Sequence, residues 1–559
     1  MTRRIRSAML ASLAVLALTA CATVPDSGPV REGLPNLAQV ERGAYLNPQG
    51  PISGADQETI VRGFVRAASS HANGYEIARE FLAPTYAELW DPGLGVFVNE
   101  GPQQYQSTES GLAVLTLHVS ATVDSGGTMT PANPEQGTDV QFELTKVNGE
   151  WRISSAPNGI ILDRSTFSAV WTTRQLYFLS PDQRLVPEIR WFLRNSAMPS
   201  QIVNALLQGP SALISGAARS AFPEGTTLST RDVAVVDNTA VIDFSTEMLD
   251  ADDSEMAAIT RQLEMSLQGL SGVSRFQIAV HGTVLAGGDA AISEETPAGE
   301  HQSIALMKDG EFGLAAGGSL TPMNGLSDKI VELRPEAVTM SPDLNSAAVL
   351  NSDGVALVTK ERSIGLDIRD EQIAPSIDAL GYIWTYSETQ PGIIRASTPD
   401  VHWTELAVPW LSDVEVAAIR LSTGGNRLAA LVQDETGTKF LVVGVVRDSK
   451  GLPVGLTEEV SLQFWDSGAP IDFDWISDNR YVLLSETGLL GNSARVTIGE
   501  VSGRFAAESG TVSGGSSVSG GGGRRALLRV LGEQHRMFVP QGSGWQPSMN
   551  NVDLIAKVG

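Results

Sequence analysis

The chain has 559 residues, a formal charge of −25 and a single cysteine. So acidic a balance excludes nucleic acid, whose binding depends on clustered Lys and Arg, and it disfavours adsorption to anionic lipid by charge. The length suggests three or four domains, and one thiol provides no internal disulfide, so each domain must rest on an apolar core.

The first twenty residues have the layout of an export signal. Arg3, Arg4 and Arg6 make a positive start, and Ala8 to Ala20 is an uncharged, mostly apolar run. It is shorter than the roughly 20 residues of a spanning helix and fits the ~7–15 of a signal h-region. Leu18, Thr19 and Ala20 then lead directly into Cys21. This stretch resembles the lipobox of bacterial lipoproteins. The resemblance implies that Cys21 is the lipid-attachment residue: its thiol takes a diacylglycerol, residues 1–20 are cleaved off, and Cys21 becomes the first residue of the mature chain. Burying acyl chains contributes about 0.8 kcal/mol per CH₂, so two chains place the protein on the membrane. Residues 21–49 read as the lipidated cysteine and a polar, Pro/Gly-containing tether.

Residues 50–168 begin helical. Ile60, Phe64 and Ala67 share one face, and a second helix is expected through Ile77, Phe81 and Leu82, ending near Pro84. The period then changes to two. Gly111–Val123 and Thr138–Val147 alternate as strands, and Asn148-Gly149 is a two-residue hairpin turn leading into Glu150-Trp151-Arg152-Ile153. Helices followed by an antiparallel sheet imply α+β. The last hairpin resembles that of the nuclear transport factor 2 (NTF2-like) domains.

Residues 169–295 run strand (Gln175–Leu179), helix from Pro199 to Gly209-Pro210, strands at Val233–Val236 and Ala240–Phe244, helix from near Ser254, and strand Arg275–Val280. Asp253 or Ser254 is the expected cap of the second helix. The motifs YFLSPDQRLVPEIR, ALLQGPS, AFPEGTTL, VAVVDNTAVIDFS and GVSRFQIAVHG, in that order, resemble the GerMN domain of spore-germination and sporulation proteins, an α+β fold.

Residues 296–559 read as short strands throughout. Ser341, Ser376, Ser422 and Ser477 lead turns in loosely repeated strand–turn–strand units. Blades of a propeller recur at about 40–50 residues, so an all-β propeller-like domain is expected, of six or so blades. A sandwich is the alternative, because the spacing drifts. A lipobox, a small α+β domain, a GerMN domain and a long β-rich region together resemble the LpqB lipoproteins of actinobacteria over nearly the whole chain.

Candidate chemistry is sparse. Ser513–Arg525 is Gly-rich but lacks the G-K-[ST] and following helix of a phosphate loop, so it reads as a flexible surface loop. Asp250–Glu255 lacks the glycine at position 6 and glutamate at position 12 of an EF-hand loop and reads as an acidic helix start. His71, His118, His281, His301, His402 and His535 form no zinc-protease motif, and no G-x-S-x-G is present. His118 is expected within a strand and His281 at a strand end. Asp472 and Asp474 share a strand face and are expected to be solvated, although spacing alone leaves a glycosidase pair open. Trp384, Trp403, Trp410, Trp465, Trp475 and Trp545 are expected mainly as blade core, with a few at a propeller mouth. No catalytic residue, metal ligand or cofactor is expected, and no enzyme activity. Resemblance to LpqB implies a lipid-anchored protein on the extracytoplasmic face of the cell membrane. It also implies a partner, the extracellular domain of the sensor kinase MtrB, whose signalling in the MtrA–MtrB two-component system it modulates, with effects on cell envelope and division. The rival expectation is a cell-wall glycan-binding or glycan-processing protein that uses the propeller.

Overall fold

The computed structural model describes residues 48–292, 304–316, 318–400, 402–487, 492–520 and 528–559. The export signal, Cys21 and the tether fall outside the described residues.

In the first module, helix Gln57–Ala67 starts because Asp56 accepts a hydrogen bond from Thr59 N at 2.8 Å. Its stripe of Ile60, Val61 and Phe64 is buried, and Phe64 meets Trp90 and Phe142 edge-on at 5.0 and 6.3 Å. Of the expected second helix only Glu76–Arg79 is helical, and a separate short helix, Pro84–Ala87, begins where the expected one was to end. Between them the backbone turns to the sheet: Ala83 N donates to Ile153 O at 2.7 Å, and Ile153 N to Phe81 O at 2.9 Å. The expected strand Gly111–Val123 also divides. Leu112–Leu117 lies in a sheet with Gln104–Ser107, Thr138–Val147 and Glu150–Ser155. Val119–Asp124 joins a second sheet with Met129–Pro131, Gly95–Asn99 and Ile160–Asp163. His118 is the corner. Its N–H donates to Asn99 Oδ1 and its Nδ1 lies 2.9 Å from Pro134 O, so side chains supply what the ladder loses there. Asn148 and Gly149 take φ of 53° and 85°, the left-handed pair that a two-residue hairpin turn requires.

The second module, the one expected to be GerMN, pairs a long hairpin, Trp171–Leu179 with Leu185–Leu193, and a four-stranded sheet. In that sheet Thr239–Phe244 runs parallel to Arg275–Val280, so the chain must cross over between them. Helix Asp253–Leu267 makes the crossing and buries Ile259, Leu263 and Leu267. Its cap is Asp252 rather than Asp253 or Ser254. Asp252 Oδ1 accepts from Glu255 N at 2.8 Å while Glu255 Oε2 accepts from Asp252 N at 3.1 Å, a reciprocal capping box.

The remaining chain forms, among the described residues, six sheets, antiparallel but for one added parallel strand, the blades of a propeller. Their innermost strands are Val552–Ile555, Ala337–Met340, Ser376–Ile377, Glu415–Leu421, Pro470–Trp475 and Ser517–Ser519, and each neighbours the next in a closed ring. We number the blades 1 to 6 in that order. Blade 1 is closed by the late strand Val552–Ile555 pairing antiparallel with Ile304–Lys308, which ties the two ends of the domain together. Adjacent blades are joined by a recurring clasp. Asp367, on the outer strand of blade 2, accepts from Thr385 Oγ1 at 2.7 Å and from Arg395 on blade 3. Asp466, on the outer strand of blade 4, accepts from Ser485 Oγ at 2.6 Å and from Arg495 on blade 5. Of the four turn-leading serines, Ser341 and Ser422 accept from the residue that resumes the strand, Ser346 N and Arg427 N. At the second repeat the leader is Asp378 instead of Ser376: Asp378 Oδ1 accepts from Leu380 N and Tyr382 N, both at 2.9 Å.

Candidate functional site

The ring of inner strands encloses a polar channel. Strand Lys557–Val558 pairs in parallel with the inner edge of Ala337–Met340, which is already the innermost strand of blade 2, so it lies in the channel itself. From there Lys557 reaches the opposite side. Its Nζ donates to both carboxylate oxygens of Asp472 at 2.8 Å and to Phe473 O at 2.7 Å on blade 5. Lys557 thereby lines a cup of about 320 Å³ between the inner strands. Its walls include Ala337, Ala417, Ile471 and Leu554, and its charged residues are Arg420, Asp472, Lys557, Glu336 and Asp553. Asp474, one strand period along from Asp472, accepts from Gly520 N on blade 6 at 2.7 Å. Desolvation pushes its carboxyl above the ordinary range despite Lys557 and Arg420 nearby, and desolvation pulls the Lys557 ammonium down.

Asp472 and Asp474 are therefore not the solvated pair expected. Both are buried, at 8% and 5% exposure. An inner propeller strand has blades packed against it on both sides, so alternation there separates channel from blade rather than water from core. Asp472 is engaged by Lys557, Ser517 and Val518 N.

A second charged cluster sits where all three modules meet. Glu188 Oε2 accepts from Arg190 Nε and Nη2 at 2.9 and 2.6 Å, with both residues 2% exposed. Arg190 Nη1 donates to Gly126 O of the first module at 2.7 Å. Arg427 of blade 4, fully buried, donates from Nη2 to Pro187 O at 2.6 Å. Arg184 to Gly424 O, Thr457 to Leu213 O and Trp191 to Ser502 O add three further ties between GerMN and propeller. One apolar cluster runs on from Phe178, Ile202 and Leu263 of GerMN to Phe440, Phe473 and Tyr481 of the propeller.

The other candidates resolve as architecture. Among the described residues no group of three His, Cys, Asp or Glu could hold a metal ion. The Gly-rich run is not a plain surface loop over its described part: Ser517–Ser519 is the inner strand of blade 6, and Gly520 serves Asp474. Trp384 and Trp475 are buried as expected, whereas Trp403 is half exposed beneath Arg395. Arg420, Lys557, Glu188, Arg190 and Arg427 were not anticipated. Their signal is a charge inside an otherwise apolar strand, as in AAIRL, PEIRWF and NRLAAL.

Comparison with known proteins bears on all three modules. Residues 50–168 match the family model described as Lipoprotein LpqB, N-terminal domain. Residues 310–547 match the one described as Lipoprotein LpqB beta-propeller domain. Together these span more than half of the chain. The chain belongs to the LpqB lipoprotein family. Between the two LpqB matches, residues 175–286 match Sporulation and spore germination, the GerMN region. Lipoprotein LpqB of Bifidobacterium longum is 27% identical over 82% of this chain and 81% of its own. Lipoprotein LpqB of Streptomyces coelicolor is 25% identical over 95% and 94%. Among solved structures, the first GerMN domain of the sporulation protein GerM from Bacillus subtilis is 22% identical, covering 22% of this chain and 96% of that one, with a TM-score of 0.19. Among the described residues of this LpqB protein, no helix is long and apolar enough to cross a membrane.

Proposed function

We propose that the protein is anchored through lipid on Cys21 to the extracytoplasmic face of the cell membrane. There it binds the extracellular domain of the sensor kinase MtrB and modulates MtrA–MtrB signalling, without catalysis of its own. Membership of a lipoprotein family supports the anchor. The observation that carries the binding role is the junction of Glu188, Arg190 and Arg427, which fuses three unlike modules into one body. A body of that kind offers a composite surface of fixed shape, which suits stoichiometric recognition of another protein. A glycan-binding role asks for aromatic platforms; no aromatic side chain is among the described residues that line the cup, and Asp472 is held by Lys557.

The test is titration of the detergent-solubilised full chain with the purified extracellular domain of MtrB. Saturable binding at micromolar concentration is expected, and its absence would refute the reading. In cells, Cys21→Ala leaves folding intact and moves the protein out of the membrane fraction. Retention of that variant in membranes at high salt would defeat the anchoring argument.

A further inference from the structure

Pro48 is the first described residue, and four positions on Ile52 is 64% exposed. A carboxylate pins the segment that carries it. Glu150 Oε1 accepts from Ser53 Oγ at 2.9 Å, and Glu150 Oε2 accepts from Gly54 N at 2.8 Å. Glu150 directly follows the Asn148-Gly149 turn, so these bonds set Ile52 beside the tip of that hairpin. Trp151 is half-buried at the tip, and the Lys146 ammonium stands 5.0 Å from the centre of its ring. A Cβ on Gly111 would lie 3.7 Å from the same indole, and Leu112, next in the chain, is 42% exposed. Exposed isoleucine and leucine, an indole and a lysine thus gather at the one end of the first module where the tether arrives.

Apolar residues scattered singly over a surface need no explanation, but a convergence of them does. An indole with aliphatic and basic neighbours suits a lipid headgroup layer. Its apolar body and polar edge match that boundary, and a long basic side chain reaches from it to the phosphates. The local charge fits the same occupant. The whole chain carries −25, yet the hairpin tip sets Lys146 and Arg152 against the single carboxylate of Glu150, which Ser53 and Gly54 already engage. Anionic lipid is repelled by the chain as a whole and admitted at this spot. Position argues likewise. Cys21 and Pro48 are 27 positions apart, so the chain between them spans at most roughly 95 Å. It enters the first module within four residues of Ile52, so an anchor at Cys21 draws this end toward the bilayer first.

We propose that Ile52 and the hairpin tip Lys146–Arg152 form a seat on the bilayer surface, with Ile52 and Trp151 in the headgroup layer, Leu112 at their flank, and Lys146 and Arg152 on lipid phosphates. The seat rests on the reading of Cys21 as the lipid anchor. It is too small to hold the protein alone and operates only while the anchor keeps the chain at the membrane. Its consequence is orientation: a body that would otherwise swing on its tether is held by one end.

The experiment is spin labelling of the acylated full chain in vesicles of phosphatidylglycerol and phosphatidylethanolamine. Cys21 is the chain's single cysteine, so once it is acylated an introduced cysteine is the only thiol. Ile52→Cys reports on the seat. Ile368→Cys, at a residue 81% exposed on the propeller, is the reference. Both side chains are exposed, so neither label disturbs a core. Oxygen concentrates in lipid and a nickel chelate stays in water, so the ratio of oxygen to nickel accessibility is expected to be several-fold higher at Ile52 than at Ile368. Leu112→Cys repeats the measurement from the other strand of the tip. Lys146→Glu, added to Ile52→Cys, is expected to move the ratio toward the reference while flotation with the vesicles is unchanged. The seat is overturned if the Ile52 label on floating protein is as open to nickel as the Ile368 label. It is overturned equally if that label is shielded from oxygen and nickel alike, which marks a protein neighbour such as a second copy, or if a well-folded Lys146→Glu variant leaves the ratio where it was. Parent protein that fails to float refutes the anchoring reading itself, and the seat with it.

Discussion

Lys557 and Asp472 show how much rests on one pair. Each is buried, and each is the other's compensation. Lys557→Met leaves the buried Asp472 carboxylate with only Arg420, 4.0 Å away, as counter-charge, and removing one partner of a buried pair costs about 3–5 kcal/mol. Adding Asp472→Asn to that variant should restore a substantial part of the loss, because the stranded charge is gone; urea unfolding of the two singles and the double measures it. Asp474 makes the sign of a pH effect explicit. Its folded-state pKa is raised by desolvation, so the folded protein holds that proton more tightly than the unfolded chain, and stability from this group falls as pH rises above the ordinary carboxylate range. Asp474→Asn therefore stabilises at neutral pH, and the gain shrinks as pH falls toward 3.8. Asp434 has the opposite sign. Hydrogen bonds from Lys439 and Thr436 hold it down to about 2, so the stability it lends is present above 3.8 and is lost as pH falls through about 2. Unfolding midpoints of Asp434→Asn and Asp474→Asn should both part from the parent toward pH 7, the first below it and the second above it, and both should converge on the parent as pH falls toward 2.

Elements with a local cause were the readable ones. The Asn148-Gly149 turn and the stripe of Ile60 and Phe64 each follow from residues a few positions apart, and the structure has them where the pattern put them. The misread elements answer to distant partners. The second helix is cut short by a bond to Ile153, and the strand through His118 changes sheets where Asn99 receives it. Periodicity reports the environment of a segment, but it carries no information about which other strand supplies that environment. The crossover helix Asp253–Leu267 tests a local cause directly. Asp252→Ala removes one half of its capping box and should cost about 1 kcal/mol, with Asp252→Asn nearly neutral. An equal loss in both variants would assign the effect to charge rather than to the cap.

At the scale of the molecule, the order of modules was legible because each carries its own pattern of periods, whereas their fusion was not. Glu188 and Arg427 lie 239 positions apart, and nothing near either names the other. The same distance hid the cup: the lysine that lines it stands 85 positions from its aspartate. Fusion has a measurable consequence. Glu188 is the acidic partner of Arg190, which holds the first module at Gly126, and its charge also acts on Arg427 of the propeller. Glu188→Gln keeps the shape but leaves two buried guanidinium groups without that charge, a loss of about 3–5 kcal/mol. If the modules are one cooperative body, native-state hydrogen exchange should accelerate together in strand Val119–Asp124 of the first module, Thr239–Phe244 of GerMN and Arg427–Asp434 of blade 4. Acceleration confined to GerMN, with the other two strands as protected as in the parent, would mean that the modules merely touch, and the fixed composite surface on which partner recognition was argued would have to be abandoned.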